Sequence, residues 1–466
     1  MDCRAAAAVC SALIAGCTFQ HYQPAPLEPG ASAAAFDARS LADPGLRAFE
    51  ERALGRPAQP WPPAEWDLNT LSLAALYFNP QLDEARADLA EAQAALLTAG
   101  ARPNPTLAIS PGVPSPYLLS VDLLFPLETA GKRGYRRELA QRLAQASQLE
   151  LAEAAWTVRG AVRAALVDFL LAGQRLELSQ AEVQVRETQV KILEQRLQAG
   201  ESRRLEVDAA RSDLSKAHSA RRSAEEEESA DGAKLAAAIG IPLAALRAVH
   251  LTWPEIATPP APESLSLGEI ERDAVINRLD VRAALARYAA AEAALQLEVA
   301  KQYPDIDIGP GYTYEERQSY FTIGLSAAIP LLDRNRGPIA EAEARRRKAA
   351  AQFVDTQAQA LASSAQAFAV YAVARDGLRE AERLAAVEER RRADASEATR
   401  LGEADGLELA EAQLQYSIAA RARLDALAHV QHAFGELERA VERPLAPAEE
   451  IPGIRELEAP ARAAER

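Results

Sequence analysis

Gly200-Glu201-Ser202-Arg203-Arg204-Leu205-Glu206-Val207-Asp208-Ala209-Ala210 and Gly402-Glu403-Ala404-Asp405-Gly406-Leu407-Glu408-Leu409-Ala410-Glu411-Ala412 carry one turn twice, 202 positions apart. Working outward, three further landmarks recur in the same order. Arg102-Pro103 and Tyr303-Pro304 end helical patterns at a shift of 201, and Phe125-Pro126-Leu127 matches Ile329-Pro330-Leu331 at 204. Pro242-Leu243 matches Pro444-Leu445 at 202. Near-equal shifts in one order mark an internal duplication. The Pro-rich stretch around Trp253 to Pro262 joins the two copies.

Each copy reads as helix, two strands, long helix, turn, helix. Residues 73–101 read as one Ala-rich helix, followed by strands within about 106–126. Leu119, Val121, Leu123 and Phe125 alternate with Ser120, Asp122 and Leu124. In the second copy, with strands within about 305–330, Phe321, Ile323, Leu325, Ala327 and Ile329 alternate with Thr322, Gly324, Ser326 and Ala328. This pattern fits a half-buried hairpin or a membrane-barrel strand. Four strands cannot close a barrel, since the smallest hold about eight, so strands in a membrane would require oligomerisation.

The long helices are expected over about 135–199 and 338–400, each roughly 100 Å at 1.5 Å per residue. In the first, Leu176, Val183, Val190 and Leu197 form one heptad series, and Leu171, Leu178, Val185 and Ile192 form another. The two lie roughly 200° apart, so the helix needs neighbours on both flanks, as in the wall of a tube. A helical bundle or a coiled-coil rod is the competing arrangement.

Composition narrows the function. Aromatic residues make up only 5% of 466, so small apolar side chains must supply the packing, which suits helices side by side. The formal charge of −15 disfavours nucleic acid, and three Cys with five His leave little for a metal site. No nucleophile elbow, phosphate loop or zinc motif is present, so neither catalysis nor a cofactor is expected.

The N-terminus reads as a secretory signal over residues 1–16, ending in Leu13-Ile14-Ala15-Gly16-Cys17, which resembles the lipobox of bacterial lipoproteins. That resemblance implies acylation of Cys17, leaving a mature lipoprotein without a free thiol, and Thr18 favours sorting to the outer membrane. Residues 17–70, rich in Pro, Ala and Gly, read as an extended tether or strap with few regular elements.

The stretches 125–134 (Phe-Pro-Leu-Glu-Thr-Ala-Gly-Lys-Arg-Gly) and 329–337 (Ile-Pro-Leu-Leu-Asp-Arg-Asn-Arg-Gly) resemble the paired signatures of the TolC-type outer-membrane factor family. Asn79-Pro80-Gln81-Leu82 and the stretch 99–107 fit its heavy-metal cation efflux (CzcC-like) branch. The resemblance implies a mainly α fold with a β-barrel part: a trimeric, 12-stranded outer-membrane barrel continued by a periplasmic α-helical barrel. It implies repeats over 71–250 and 266–445, a linker over 251–265 and a C-terminal tail over 446–466. The implied protein is a lipid-anchored homotrimer in a Gram-negative outer membrane. It would work with a periplasmic adaptor (membrane fusion) protein and an inner-membrane RND pump as a passive duct for heavy-metal cations. Multidrug efflux is the alternative. A periplasmic coiled-coil adaptor or scaffold is more distant, because an adaptor predicts half motifs flanking one hairpin, whereas everything here is duplicated.

Candidate residues lie at the two ends of the long helices. At the strand-to-helix joins Pro126, Gly131, Gly134, Pro330, Asp333, Asn335 and Gly337 read as structural: glycines for the change of direction, Asp333 or Asn335 as helix cap. At the tips Arg196, Leu197, Gly200, Ser202, Arg400, Leu401 and Gly402 are, by the resemblance, candidates for adaptor contact. The second tip is shorter between its Leu and its Gly. Asp394, Glu403 and Asp405 are candidates for an acidic ring at the mouth. His429 and His432, spaced i and i+3 near Asp425, are read as solvent-facing, with no metal expected.

Overall fold

The computed structural model describes residues 20–113 and 118–446. Two short helices, α1 (Pro29–Asp37) and α2 (Pro44–Leu54), precede the first unit. That unit contains α3 (Leu68–Phe78), α4 (Pro80–Gly100), β1 (Thr106–Gly112), β2 (Leu118–Leu127), α5 (Lys132–Ala199) and α6 (Arg204–Ile239). A short α7 (Leu243–Arg247) and two 3-10 turns lie in the connection. The second unit repeats the order as α8 (Leu267–Ile276), α9 (Leu279–Ala300), β3 (Ile306–Glu315), β4 (Gln318–Ala327), α10 (Arg336–Leu401) and α11 (Gly406–Val441). Equivalent contacts recur as well. Asn79 Nδ2 donates to the Ala238 carbonyl at 2.8 Å, and Arg278 Nη1 donates to the Ala440 carbonyl at 3.1 Å.

α5 has 68 residues and α10 has 66, each roughly 100 Å long. Nothing in α5 breaks the helix, and Pro338 sits in the first turn of α10, where its missing N–H is no loss. Both flanks of α5 are occupied. Arg211 of α6 pairs with Glu194 at 2.7 Å, while α11 lies on the other side, with Gly406 against Ile192 and Arg421 paired with Glu182 at 3.0 Å. Among the described residues no helix is long and apolar enough to cross a membrane.

The sheet is antiparallel throughout, in the order β1-β2-β3-β4, so β1 and β4 are open edges. The register aligns Ile109 with Val121, Val121 with Tyr312, and Tyr312 with Phe321 on one apolar face. Ser120, Thr313, Asp122, Gly311 and Thr322 lie on the other face, where the Ser120 and Thr313 hydroxyls meet at 3.2 Å. The apolar face is uncovered: Phe321 is 84% exposed, Ile323 82% and Leu325 72%.

The apolar core is a belt midway along α5, where Leu149, Val158, Val162, Leu166 and Leu171 meet α3, the end of α6 and the end of α11. Two expectations are corrected there. From Leu41 on the segment is not a loose tether but is packed: α2 forms, and Leu41, Leu46 and Trp66 are buried in the belt, while residues 20–38 with α1 are exposed. Pro29 and Pro44 start these helices rather than prevent them, because proline is tolerated in a first turn. Residues 73–101 are two helices, since Asn79 is extended (ψ 123°) before Pro80 and its side chain accepts the Gln81 N–H at 2.9 Å. The connection between the units is itself docked: Gln431 Nε2 donates to the Ile256 carbonyl at 2.6 Å and the Tyr371 hydroxyl donates to the Pro260 carbonyl.

Candidate functional site

The strand-to-helix joins mark one end of the long helices. Gly131 precedes α5 at φ 73° and Asn335 precedes α10 at φ 57°, both left-handed. Gly134 and Gly337 were expected to permit the change of direction, but both lie inside helices; Ala130, Gly131 and Asn335 take the positive φ. Asn335 occupies the cap position without a side-chain capping bond; its amide instead donates to the Glu298 carbonyl at 2.7 Å. Asp333 accepts the Asn335 N–H at 2.8 Å. Pro126 lies within β2, opposite Asp307, whereas Pro330 falls past the end of β4.

The first join is clamped across the units. Buried Lys132 donates to the Tyr303 carbonyl at 2.6 Å and to Asp305 Oδ1 at 2.7 Å. Thr129 N–H donates to Asp305 at 2.9 Å and its hydroxyl to the Pro304 carbonyl at 2.6 Å. A cleft of about 780 Å³ opens beside it, lined by Lys132, Arg136, Lys301, Asp305, Leu331 and Asp333. Nothing local to Lys132 in the sequence announces this clamp, because its partners lie more than 170 residues away.

The tips mark the other end. Gly200 (φ 78°) and Gly402 (φ 76°) each close a helix. The Glu201 N–H reaches back to the Arg196 carbonyl at 2.8 Å, and the Glu403 N–H to the Ala398 carbonyl at 2.9 Å, a six-residue return that satisfies terminal carbonyls. Ser202 donates to Glu206 at 2.6 Å. Arg400 pairs with Glu397, and Leu197 is half-buried while Leu401 is exposed. Arg196 Nη2 meets Asp405 Oδ2 at 2.6 Å, tying the two tips together. Asp405 also accepts the Leu407 N–H at 2.6 Å; that bond and the Arg196 guanidinium hold its carboxyl below the usual range. Of the acidic trio, Asp405 is therefore engaged as a cap and an ion pair, while Asp394 and Glu403 are exposed.

Between the ends, Arg159 and Arg163 of α5 are each 2% exposed and converge on Glu438 of α11, 1% exposed. Arg163 also donates to the carbonyl and the side-chain oxygen of Gln431 at 2.6 and 2.7 Å, and lies 5.1 Å from the Trp253 ring. Sequence reading missed this group. Its signal was two arginines one turn apart beside Val158, Val162 and Leu166, all of which are buried. His432 meets Asp168 of α5 at 2.7 Å, and Asp425 pairs with Arg175 at 3.0 Å. Among the described residues no group of three or more His, Cys, Asp or Glu could hold a metal. Cys17 lies outside the described residues.

Residues 71–241 match the family described as outer membrane efflux protein. Over 273 residues the chain is 26% identical to the cobalt-zinc-cadmium resistance protein CzcC of Cupriavidus metallidurans, covering 57% of this chain and 63% of that relative. The outer membrane protein VceC of Vibrio cholerae superposes with a TM-score of 0.64 at 22% identity, covering 81% of this chain and 97% of that one. The Campylobacter jejuni CmeC outer membrane channel superposes with a TM-score of 0.67 at 13% identity, covering 88% and 95%. The family match thus lies in the first unit, and the likeness of fold to these outer membrane channels extends across both.

Proposed function

We propose that the protein is the passive outer-membrane duct of a tripartite efflux system and that its cargo is heavy-metal cations. One observation carries the duct: a four-stranded sheet with an uncovered apolar face, a small-polar face and two open edges, continued by helices roughly 100 Å long. Such a sheet satisfies its edges and hides its polar face from lipid when three copies close a barrel. The helices then extend the passage into the periplasm toward an adaptor and an RND pump, with the tips around Arg196, Gly200, Arg400 and Gly402 as the contact. In this reading Cys17 carries the lipid anchor.

The heavy-metal cargo rests on the likeness to a cobalt-zinc-cadmium resistance protein. Soft ligands for choosing a metal are absent from the described residues, consistent with selection by the pump. Deleting the gene is expected to sensitise cells to divalent metals such as cobalt, zinc or cadmium, with restoration by the intact gene. Sensitivity confined to dyes, detergents or antibiotics would move the cargo to the multidrug class. Recovery of the protein in the soluble periplasm would overturn the duct.

A further inference from the structure

The two joins are equivalent by duplication but differ in what they touch. The first is seated on the helix-to-strand turn Tyr303-Pro304-Asp305, through Thr129 and Lys132. At the shift of 204 that relates Phe125 to Ile329, Asp333 stands for Thr129 and Arg336 for Lys132. At the shift of 201 that relates Arg102 to Tyr303, Asn104 stands for Asp305. Lys132 is buried, whereas Asp333, Arg336 and the turn Arg102-Pro103-Asn104 are all exposed. Among the described residues the Arg336 guanidinium has no hydrogen-bond or ion-pair partner. The first join lies beyond β2 and its seat before β3, which are paired; the second lies beyond β4 and its counterpart before β1, the two open edges.

Resting on the duct reading above, we propose that the second join seats on the turn Arg102-Pro103-Asn104 of another copy of this chain. Arg336 donates there to the Arg102 carbonyl and the Asn104 side-chain oxygen, as Lys132 does to Tyr303 and Asp305 within the chain. The exchanged residues are chemically consistent. Among the described residues Asp305 accepts from Thr129 and Lys132 only, but Asn104 would face a carboxylate at position 333, and its amide N–H supplies the donor that Asp would lack. Arg for Lys retains the cation and adds donors. The contact is head-to-tail, so it passes from copy to copy and closes when the ring does.

A disulfide reports this contact. The described residues contain no Cys, and Asn104 precedes β1 while Asp333 follows β4, the strands at opposite edges of the sheet. A disulfide needs Cα atoms within about 7 Å, so a bridge from Asn104→Cys of one copy to Asp333→Cys of the next reports that the two sites meet and links the copies covalently. Full-length double variant, oxidised in isolated outer membranes, is expected to give a covalent ladder ending at the trimer on non-reducing gels, absent from either single variant. Heat-resistant trimer without that ladder overturns the proposed seat and leaves the duct standing; failure of the unmodified chain to oligomerise overturns both. As a second readout, Arg336→Ala should lower the dissociation temperature of the trimer and Arg336→Lys should recover part of it. Arg334→Ala, two residues away and also exposed, should not lower it; equal effects from Arg334→Ala and Arg336→Ala overturn the seat.

Discussion

Glu442 occupies in the second unit the position that Gly240 holds in the first, and both are left-handed, at φ 51° and 88°. Gly240 is pressed on the backbone of Phe78, where an added Cβ would lie 2.7 Å from the carbonyl oxygen. Glu442 instead turns its carboxylate onto the Leu279 N–H at the start of α9. Burial pushes this carboxyl up to about 7, with nearby Asp280 adding to the rise, against the Leu279 N–H and Arg278. Below the ordinary value of 4.5 the group is protonated folded or unfolded and contributes no pH dependence. Between 4.5 and about 7 the folded chain retains a proton that the unfolded chain releases, so stability falls as pH rises through that window. The expected outcome is that Glu442→Gln gains melting temperature relative to the parent as pH goes from 5 to 8. The comparison isolates Glu442 because Glu50, also raised to about 7, is common to both chains. None of this was legible at Glu442 alone; the raised pKa needs a neighbouring helix from 163 residues away.

The helix–turn–helix tips are the elements whose sequence and structure agree most closely. Gly-Glu at a fixed place after a long apolar repeat predicts a left-handed close, and both tips adopt it with matching returns from Glu201 and Glu403. A Cβ at these positions strains the backbone by about 1 kcal/mol. Gly200→Ala and Gly402→Ala are each expected to raise amide exchange in the last turn of the preceding helix about fivefold, leaving the mid-helix amides near Leu171 unchanged; hydrogen exchange with mass spectrometry reads this. The link between the tips, Arg196 to Asp405, spans 209 positions and does not follow the duplication. The break at Asn79-Pro80 was written in the sequence as plainly as the tips. The Ala-rich periodicity on either side of it reads as one helix only if Pro80 is passed over.

At the scale of the molecule, the strap is the part whose composition misleads. Pro, Ala and Gly suggest an extended segment, yet Arg39 fastens it by donating to the carbonyls of Phe78 at 2.8 Å and Gly240 at 2.7 Å, two helix C-termini that lack intrahelical partners. Bonds from a charged donor contribute about 1.5–3 kcal/mol each. Arg39→Ala is expected to release the strap locally, so that trypsin cuts at Arg47 or Arg52 roughly tenfold faster, with the body of the protein resisting as before. The buried pairing of Arg159 and Arg163 with Glu438 works at the same scale, holding the first unit's long helix on the second unit's last helix.

Periodicity and repetition by themselves determined that the protein is two copies of one unit, each with two alternating strands, a helix of roughly 100 Å and a glycine-closed tip. These are local properties, set by backbone sterics and by which side chains recur along one face, so they survive without knowledge of neighbours. Tertiary structure alone decided which residues meet: Lys132 with Asp305, Arg196 with Asp405, and Arg159 and Arg163 with Glu438. Such pairs join parts of the chain 170 or more positions apart, and a charged residue looks alike in sequence whether it is solvated or buried against a partner. Burial, partner and pKa belong to the packed chain, where desolvation is set by what lies on the opposite helix.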